Sequence, residues 1–264
     1  MKRKTFLVAL AALPFLLAAC GDKPANQSQS ADNQEKAAVE EKSETSKAKK
    51  ADADKNVADD DPDALLIGQI DAIRSVWASK PLKGVAAGKT IDIERFAYAF
   101  CKEYPNFDAN KAIYDYIVSP ATYKEKNSYF RVESQKKYGY LSCRAELQVS
   151  WDTYCCYWKR NNGHCLVAFW MEQGHESEPH ATDGLLVFYD YNPATDTMTP
   201  ETSLAKKVEE AMSPFDEFSV NLPAQGKDIE LTGYKIDIEN DSAEGTDYLL
   251  RWNGYDFKME KVKE

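Results

Sequence analysis

The residues best suited to chemistry in this chain are its three histidines, His164, His175 and His180, which fall within 17 positions of one another. With Cys165 and Glu178 nearby they offer nitrogen, sulfur and oxygen donors of the kind zinc or copper accepts. His175, Glu178 and His180 are the candidate metal ligands, and a metal-assisted hydrolase built on them is the alternative reading of the chain. Their spacing matches no short-spaced ligand motif, and the stretch from Glu172 to His180 reads as a solvated acidic loop between two strands. A second oxygen-rich stretch, Asp237 to Asp247, departs from EF-hand spacing and reads as a hairpin turn. No GxSxG, HExxH, phosphate-cradling glycine loop or dinucleotide fingerprint occurs. The sequence leaves enzymatic activity undecided and leans against it, with no catalytic residue assigned and no cofactor expected; a carboxylate pair assembled in space is not readable from spacing.

Five cysteines, Cys101, Cys143, Cys155, Cys156 and Cys165, lie in the region with aromatic and branched apolar content. Cys101 falls on the apolar stripe of a helix and reads as a small buried residue. Asn162-Gly163, taken as a two-residue hairpin turn, makes the numbers of opposed partners sum to 325 and sets Cys165 against Arg160. Cys156 then lies ~13 Å along the strand, at ~3.3 Å per residue. A disulfide needs Cα atoms within ~7 Å, so Cys165 is not expected to bond Cys155 or Cys156, and Cys143 is its better partner. Cys155 and Cys156 face opposite sides of one strand, one in the core and the other exposed or paired. Cys143, Cys155 and Cys156 are thus the disulfide candidates.

The sixth cysteine has a different setting. Lys2, Arg3 and Lys4 precede an almost wholly apolar run from Phe6 to Leu17, and Ala18-Ala19 lead into Cys20. The run is short of the ~20 residues a membrane helix needs, and its layout is that of a secretory signal. Leu17-Ala18-Ala19-Cys20 resembles the lipobox of bacterial lipoproteins. That resemblance implies diacylglyceryl transfer to the Cys20 sulfur, cleavage between Ala19 and Cys20, and acylation of the new terminus. The lipid bilayer, reached through acylated Cys20, is then a partner. Gly21 rather than Asp follows Cys20, which by resemblance to the proteobacterial sorting rule favours the outer membrane. Periplasmic and surface-exposed placements both stay open.

The elements that must position these residues follow from composition. Formal charge is −10, and loss of Lys2, Arg3 and Lys4 with residues 1–19 takes it to −13. That balance argues against nucleic acid as a partner. Residues 21–61 carry Val39 and Val57 as their only branched apolar side chains. They read as a disordered polar tether with an r.m.s. span of roughly 35 Å, from ~5–6 Å times the square root of ~41 residues. Pro62 opens a helix expected to about residue 79, with Leu66, Ile70, Ile73 and Trp77 on one face. Further helices are expected over about 91–104, after an Asp108 cap with Pro120 as the stop, and over Leu204 to Met212.

Strands are expected beyond Tyr129, among them Trp151 to Trp158, His164 to Trp170, Leu185 to Tyr191, Ile229 to Ile238, Tyr248 to Trp252 and Tyr255 to Met259. Leu185 to Pro200 resembles the strand–turn–strand of a kelch propeller blade. It occurs once, with no recurring period of about 50, so it reads as a single hairpin. The expected fold class is α+β, with N-terminal helices followed by a largely antiparallel sheet region. Three segments result: a signal peptide over 1–19, acylated Cys20 and tether over 20–61, and one globular domain over 62–264. The expected function is an acidic binding or structural module on an envelope lipoprotein. A partner-binding subunit of an envelope complex is a further alternative, and an exposed cluster drawn from Trp151, Tyr154, Tyr157, Trp158 and Trp170 would favour it.

Overall fold

The alternation of apolar residues in the central strands has no solvent side, and that fact organises the molecule. The computed structural model describes residues 69–126, 129–145, 149–175, 178–237, 239–240 and 242–262; for 149–150, 175 and 178–182 it describes the backbone alone. All of these belong to the second of two compact units, Asn56–Glu264. Cys20 and the tether lie outside the described residues, as does the start of the first expected helix.

Helix α1 is described over 69–74 and runs into a 3-10 turn, Trp77–Ser79, with Ile70, Ile73 and Trp77 buried as the spacing predicts. Strand β1 (Leu82–Lys83) leads to α2 (Ile93–Glu103), whose Asp92 side chain accepts from the Arg95 amide as an N-cap. In α3 (Asp108–Val118) Asp108 is the first helical residue rather than the cap. Pro120 does stop α3, but it also opens α4 (Pro120–Lys126), because a first-turn position has no N–H bond to lose.

Six strands and one helix follow: β2 (Phe130–Gln135), β3 (Tyr140–Ala145), β4 (Val149–Lys159), β5 (Cys165–His175), β6 (Glu178–Asn192), β7 (Thr197–Pro200) and α5 (Thr202–Met212). The chain closes with β8 (Glu217–Asn221), β9 (Ile229–Asp237), β10 (Ser242–Trp252) and β11 (Phe257–Lys261). The fold is α+β. A seven-stranded antiparallel sheet has the order β1-β7-β6-β5-β4-β3-β2, and a four-stranded one the order β11-β10-β9-β8. Asn240 to Gly245 is less of a turn than its polarity suggests, since residues from Ser242 onward already pair with β9.

Both faces of the large sheet are covered. On β3 to β6 the odd-numbered residues, among them Leu141, Cys155, Val167, Phe169, Val187 and Tyr189, pack under α1, α2 and α3. The even-numbered ones, among them Cys156, Trp158, Leu166, Trp170, Leu186 and Phe188, pack under α5 and the small sheet. The Phe100 ring of α2 stacks on Phe169 with centroids 3.9 Å apart. Each such fully buried aromatic is worth ~1.5–3 kcal/mol of transfer free energy.

This layering corrects the reading of the cysteines. Cys155 and Cys156 do face opposite sides, yet both are buried, because neither side of the sheet is wet. All five described cysteines are free, so no disulfide joins Cys143, Cys155, Cys156 or Cys165. Cys143 pairs with Thr153, and Thr153 with Met171, six residues along β5 from Cys165. That is ~20 Å at ~3.3 Å per residue. The β4–β5 register is also shifted by one: Lys159 opposes Cys165, and opposed numbers sum to 324. A type I′ turn would need positive φ at both Asn162 and Gly163. Only Gly163 adopts it, at +86°, in a longer loop closed by the Arg160 amide on the His164 carbonyl at 2.9 Å.

Candidate functional site

Strand β6 is longer than its neighbour β7, and the mismatch opens a groove. Pairing with β7 covers Tyr189 to Asn192 only. Past Pro200 the chain turns into α5, and the Glu201 amide donates to the Phe188 carbonyl at 2.7 Å. On α5, Leu204, Val208 and Met212 at helical spacing pack against the even face of β6. On the odd face stand α1 and the 3-10 turn, with Trp77 edge-on to Tyr189. Between these walls lies a half-open cleft of about 800 Å³ along the edge of β6, reached by Arg74, Trp77, Leu186, Ala205, Phe215 and Phe218 among others. Phe215 takes its place there because Gly233 lacks a side chain; a Cβ at 233 would stand 2.4 Å from the Phe215 ring.

Arg74 closes one end of the groove. Its Nη2 donates to Asp183 Oδ1 at 2.6 Å and to the Gly184 carbonyl at 3.1 Å, and its Nη1 pairs with Asp71. The walls carry Asp183, Glu209, Asp216 and Glu217 against Arg74 and Lys206, a net acidic lining over an apolar floor. No histidine or cysteine lines it. The arrangement can bind; its hydroxyls are those of Thr202, Ser203 and Ser213, and Ser203 Oγ donates to Glu201 Oε1.

A second constellation sits on the even face of the large sheet. Asp152 on β4 and Glu172 on β5 are directly opposed. Asp152 is 8% exposed, and it accepts from the Ala145 amide at 2.9 Å and the Tyr154 hydroxyl at 2.8 Å. Glu172 accepts from Trp170 Nε1 at 2.8 Å. Burial raises both carboxyls above their ordinary range, and for Glu172 the neighbouring Asp152 adds to it; Arg144 acts the other way on both. Neither acid lines the groove.

This pair has a pH consequence. Above the ordinary carboxylate range the folded state holds protons that the unfolded chain has released, so stability falls as pH rises through that window. Asp196, Asp216, Asp237 and Glu260 are lowered, and their contribution is lost as pH falls through their folded values. The thermal midpoint is therefore expected to decline as pH rises above the ordinary carboxylate range, and to decline on the acid side as the lowered carboxyls take up protons. Asp152→Asn is expected to flatten the decline at rising pH. An unchanged slope in a scanning-calorimetry pH series would count against the pair as its source.

The third cluster joins the β4–β5 loop to β6 and to the turn after β10. Arg160 Nη1 donates to Asp190 Oδ1 at 2.6 Å, and His164 Nδ1 lies 2.7 Å from Asp190 Oδ2. Glu201 stands 3.7 Å from Arg160 Nη2, and the Tyr255 ring lies over the guanidinium at 4.9 Å.

Of the residues singled out in the sequence, His164 stands apart from the other two histidines. His164 is bound to Asp190, at the opposite end of β5 from His175. The stretch from Glu172 to His180 is not the loop its polarity suggests: β5 continues to His175 and β6 begins at Glu178, directly opposed to it. The side chains of His175, Glu178 and His180 lie outside the described residues. Among the described residues no group of three His, Cys, Asp or Glu could hold a metal ion. Asp237 is occupied in its turn, accepting from the Glu239 and Asn240 amides. Of the five aromatics proposed as a contact surface none is exposed: Trp158 and Trp170 are buried and Trp151, Tyr154 and Tyr157 partly so. Burial drives every described thiol up, Cys165 to about 11 and Cys156 to about 12, so none is a ready thiolate nucleophile.

Comparison with known proteins finds no matching family model, no matching curated relative and no matching solved structure. The chain is defined by its own architecture: an α+β domain of two antiparallel sheets with an acidic, apolar-floored groove beside an uncovered strand edge.

Proposed function

We propose that the protein is a lipid-anchored lipoprotein of the bacterial envelope whose globular domain is a binding module. The observation that carries the binding reading is the groove along β6. It is open and half apolar, and no histidine or cysteine stands among its lining residues. The carboxylate pair that could serve acid–base chemistry does not line it, although Glu172 is opposed on β5 to Gly184, which does. The anchoring half rests on Leu17 to Cys20 and the cationic, apolar stretch before them. Three acyl chains on Cys20 would exceed the two signals that stable attachment takes. The net charge of −13 after cleavage suits a domain held off an anionic surface, and the outer membrane is the favoured address. Cys20→Ser is expected to abolish incorporation of an alkyne-tagged palmitate and to move the protein from the membrane to the soluble fraction. Retention of label by the serine variant would remove the anchoring reading.

A further inference from the structure

The groove has a strand for its floor, and the direction of that strand's backbone groups is fixed. Phe188 O accepts from the Glu201 amide, and Gly184 O accepts from Arg74, both on the side where β7 has ended. Backbone groups of a strand alternate in direction with a period of two, so the N–H and C=O of Leu186 point to that same side. The opposite edge of β6 is taken up by β5 through its odd-numbered residues. Among the described residues no strand lies beside Gly184 to Leu186 on the groove side, and nothing bonds the Leu186 amide or carbonyl there. The free edge from Gly184 to Phe188 is ~14 Å long, at ~3.4 Å per residue. It is bounded by Arg74 at one end and the start of α5 at the other.

The geometry points to strand addition. An extended segment of a partner protein, with basic side chains alternating with apolar ones, lies antiparallel to β6 in the line that β7 vacates. Leu186 N–H and C=O supply the central main-chain bonds. Apolar side chains of the guest meet the Trp77 and Leu185 side, and its basic ones, on the opposite face, meet Glu209 on α5 at the rim. The acidic excess of the lining selects a cationic guest and repels an acidic one. An unpaired edge is otherwise a liability that a chain covers or blocks; here α1 and α5 wall it in and restrict it to one extended guest. This inference rests on the binding-module reading above and names the ligand class for it.

The test uses the full acylated chain in vesicles of zwitterionic lipid, titrated with a synthetic heptapeptide of alternating lysine and valine. Saturable, salt-sensitive binding is expected, with hydrogen exchange at the Leu186 amide slowed about tenfold at saturation. The same peptide N-methylated at the backbone nitrogens of its lysines, whose side chains share the α5 face with Leu186, is expected to bind about tenfold more weakly, having lost main-chain donors. A glutamate–valine peptide is expected not to bind. Ser203→Trp, at the exposed start of α5, is expected to lose binding with an unchanged melting temperature. Binding of the basic peptide without protection at Leu186, or equal binding of the N-methylated peptide, overturns strand addition and leaves the binding reading standing. Absence of binding by every peptide also overturns it. The broader reading is then judged separately, by photo-crosslinkers placed in cells at Lys206 on the groove and at exposed Tyr138 in the β2–β3 turn. If neither position crosslinks to any protein or small molecule, the binding module itself is refuted.

Discussion

Replacing Arg160 with alanine is expected to destabilise the domain by about 3 kcal/mol, read as a lowered urea midpoint at unchanged slope. The Arg160 side chain is 5% exposed and is the cation shared by Asp190 and Glu201. Removing it leaves two acids facing one another where the β4–β5 loop meets β6 and the Asn253 to Asp256 turn. Two features hold the loss to the low end of the ~3–5 kcal/mol typical of a broken buried pair. Asp190 and Glu201 keep about a quarter of their surface in water, and Arg160 Nε is itself buried with no hydrogen-bond partner. The double variant Arg160→Met with Asp190→Leu is expected to recover most of the loss, since paired apolar replacements avoid the orphaned charge. If the double variant is no better than the single one, the guanidinium's packing under Tyr255, and not its charge, is what matters.

Trp170→Ala is expected to cost about 3–5 kcal/mol, the range for truncating a fully buried large aromatic. Trp170 is 0% exposed, tilts against Phe218 of the small sheet at 5.5 Å, and supplies the N–H that Glu172 accepts. Its ring also dictates the residue diagonal to it on β6, two positions from its direct partner Leu186. A Cβ at Gly184 would stand 2.0 Å from Trp170 Cη2, and the backbone there needs no positive φ, so the glycine is a matter of space alone. Gly184→Ala is therefore expected to cost about 1–3 kcal/mol in the native background and close to nothing once Trp170 is alanine. A double-mutant cycle in urea measures that coupling. Equal costs in the two backgrounds would show that Gly184 is kept for some reason other than the indole.

Much of the local structure is legible in the sequence. The stripes Ile93, Phe96, Phe100 and Leu204, Val208, Met212 yield α2 and α5, and Leu185 to Pro200 is the hairpin its turn residues indicate. What eludes the sequence is assembly. The short strand β8 has no strong alternation, and nothing local says that a second sheet will cover the even face, so Cys156 could not be read as buried. The carboxylate pair was hidden by one residue. Opposed numbers on β4 and β5 sum to 324, which sets Asp152 against Glu172; a sum of 325 sets Thr153 there instead. The sign of φ at Asn162, which decides between the two turns, is not encoded in the dipeptide itself. The groove is more remote still, since α1, β6, α5 and β8 come together there from positions over a hundred residues apart.

The two-sided burial of β5 carries a cost that the folded state conceals. From Leu166 to Met171 every side chain is fully buried, so six consecutive apolar residues contain no charge, proline or glycine. Such a segment is a nucleus for cross-β aggregation whenever the chain is unfolded. Lys159 and Arg160 on one side and Glu172 on the other are the charges that flank it. An unfolded chain carries this segment bare until α2 and the small sheet close over it. The speed with which those layers dock then sets how much of the newly made protein escapes aggregation.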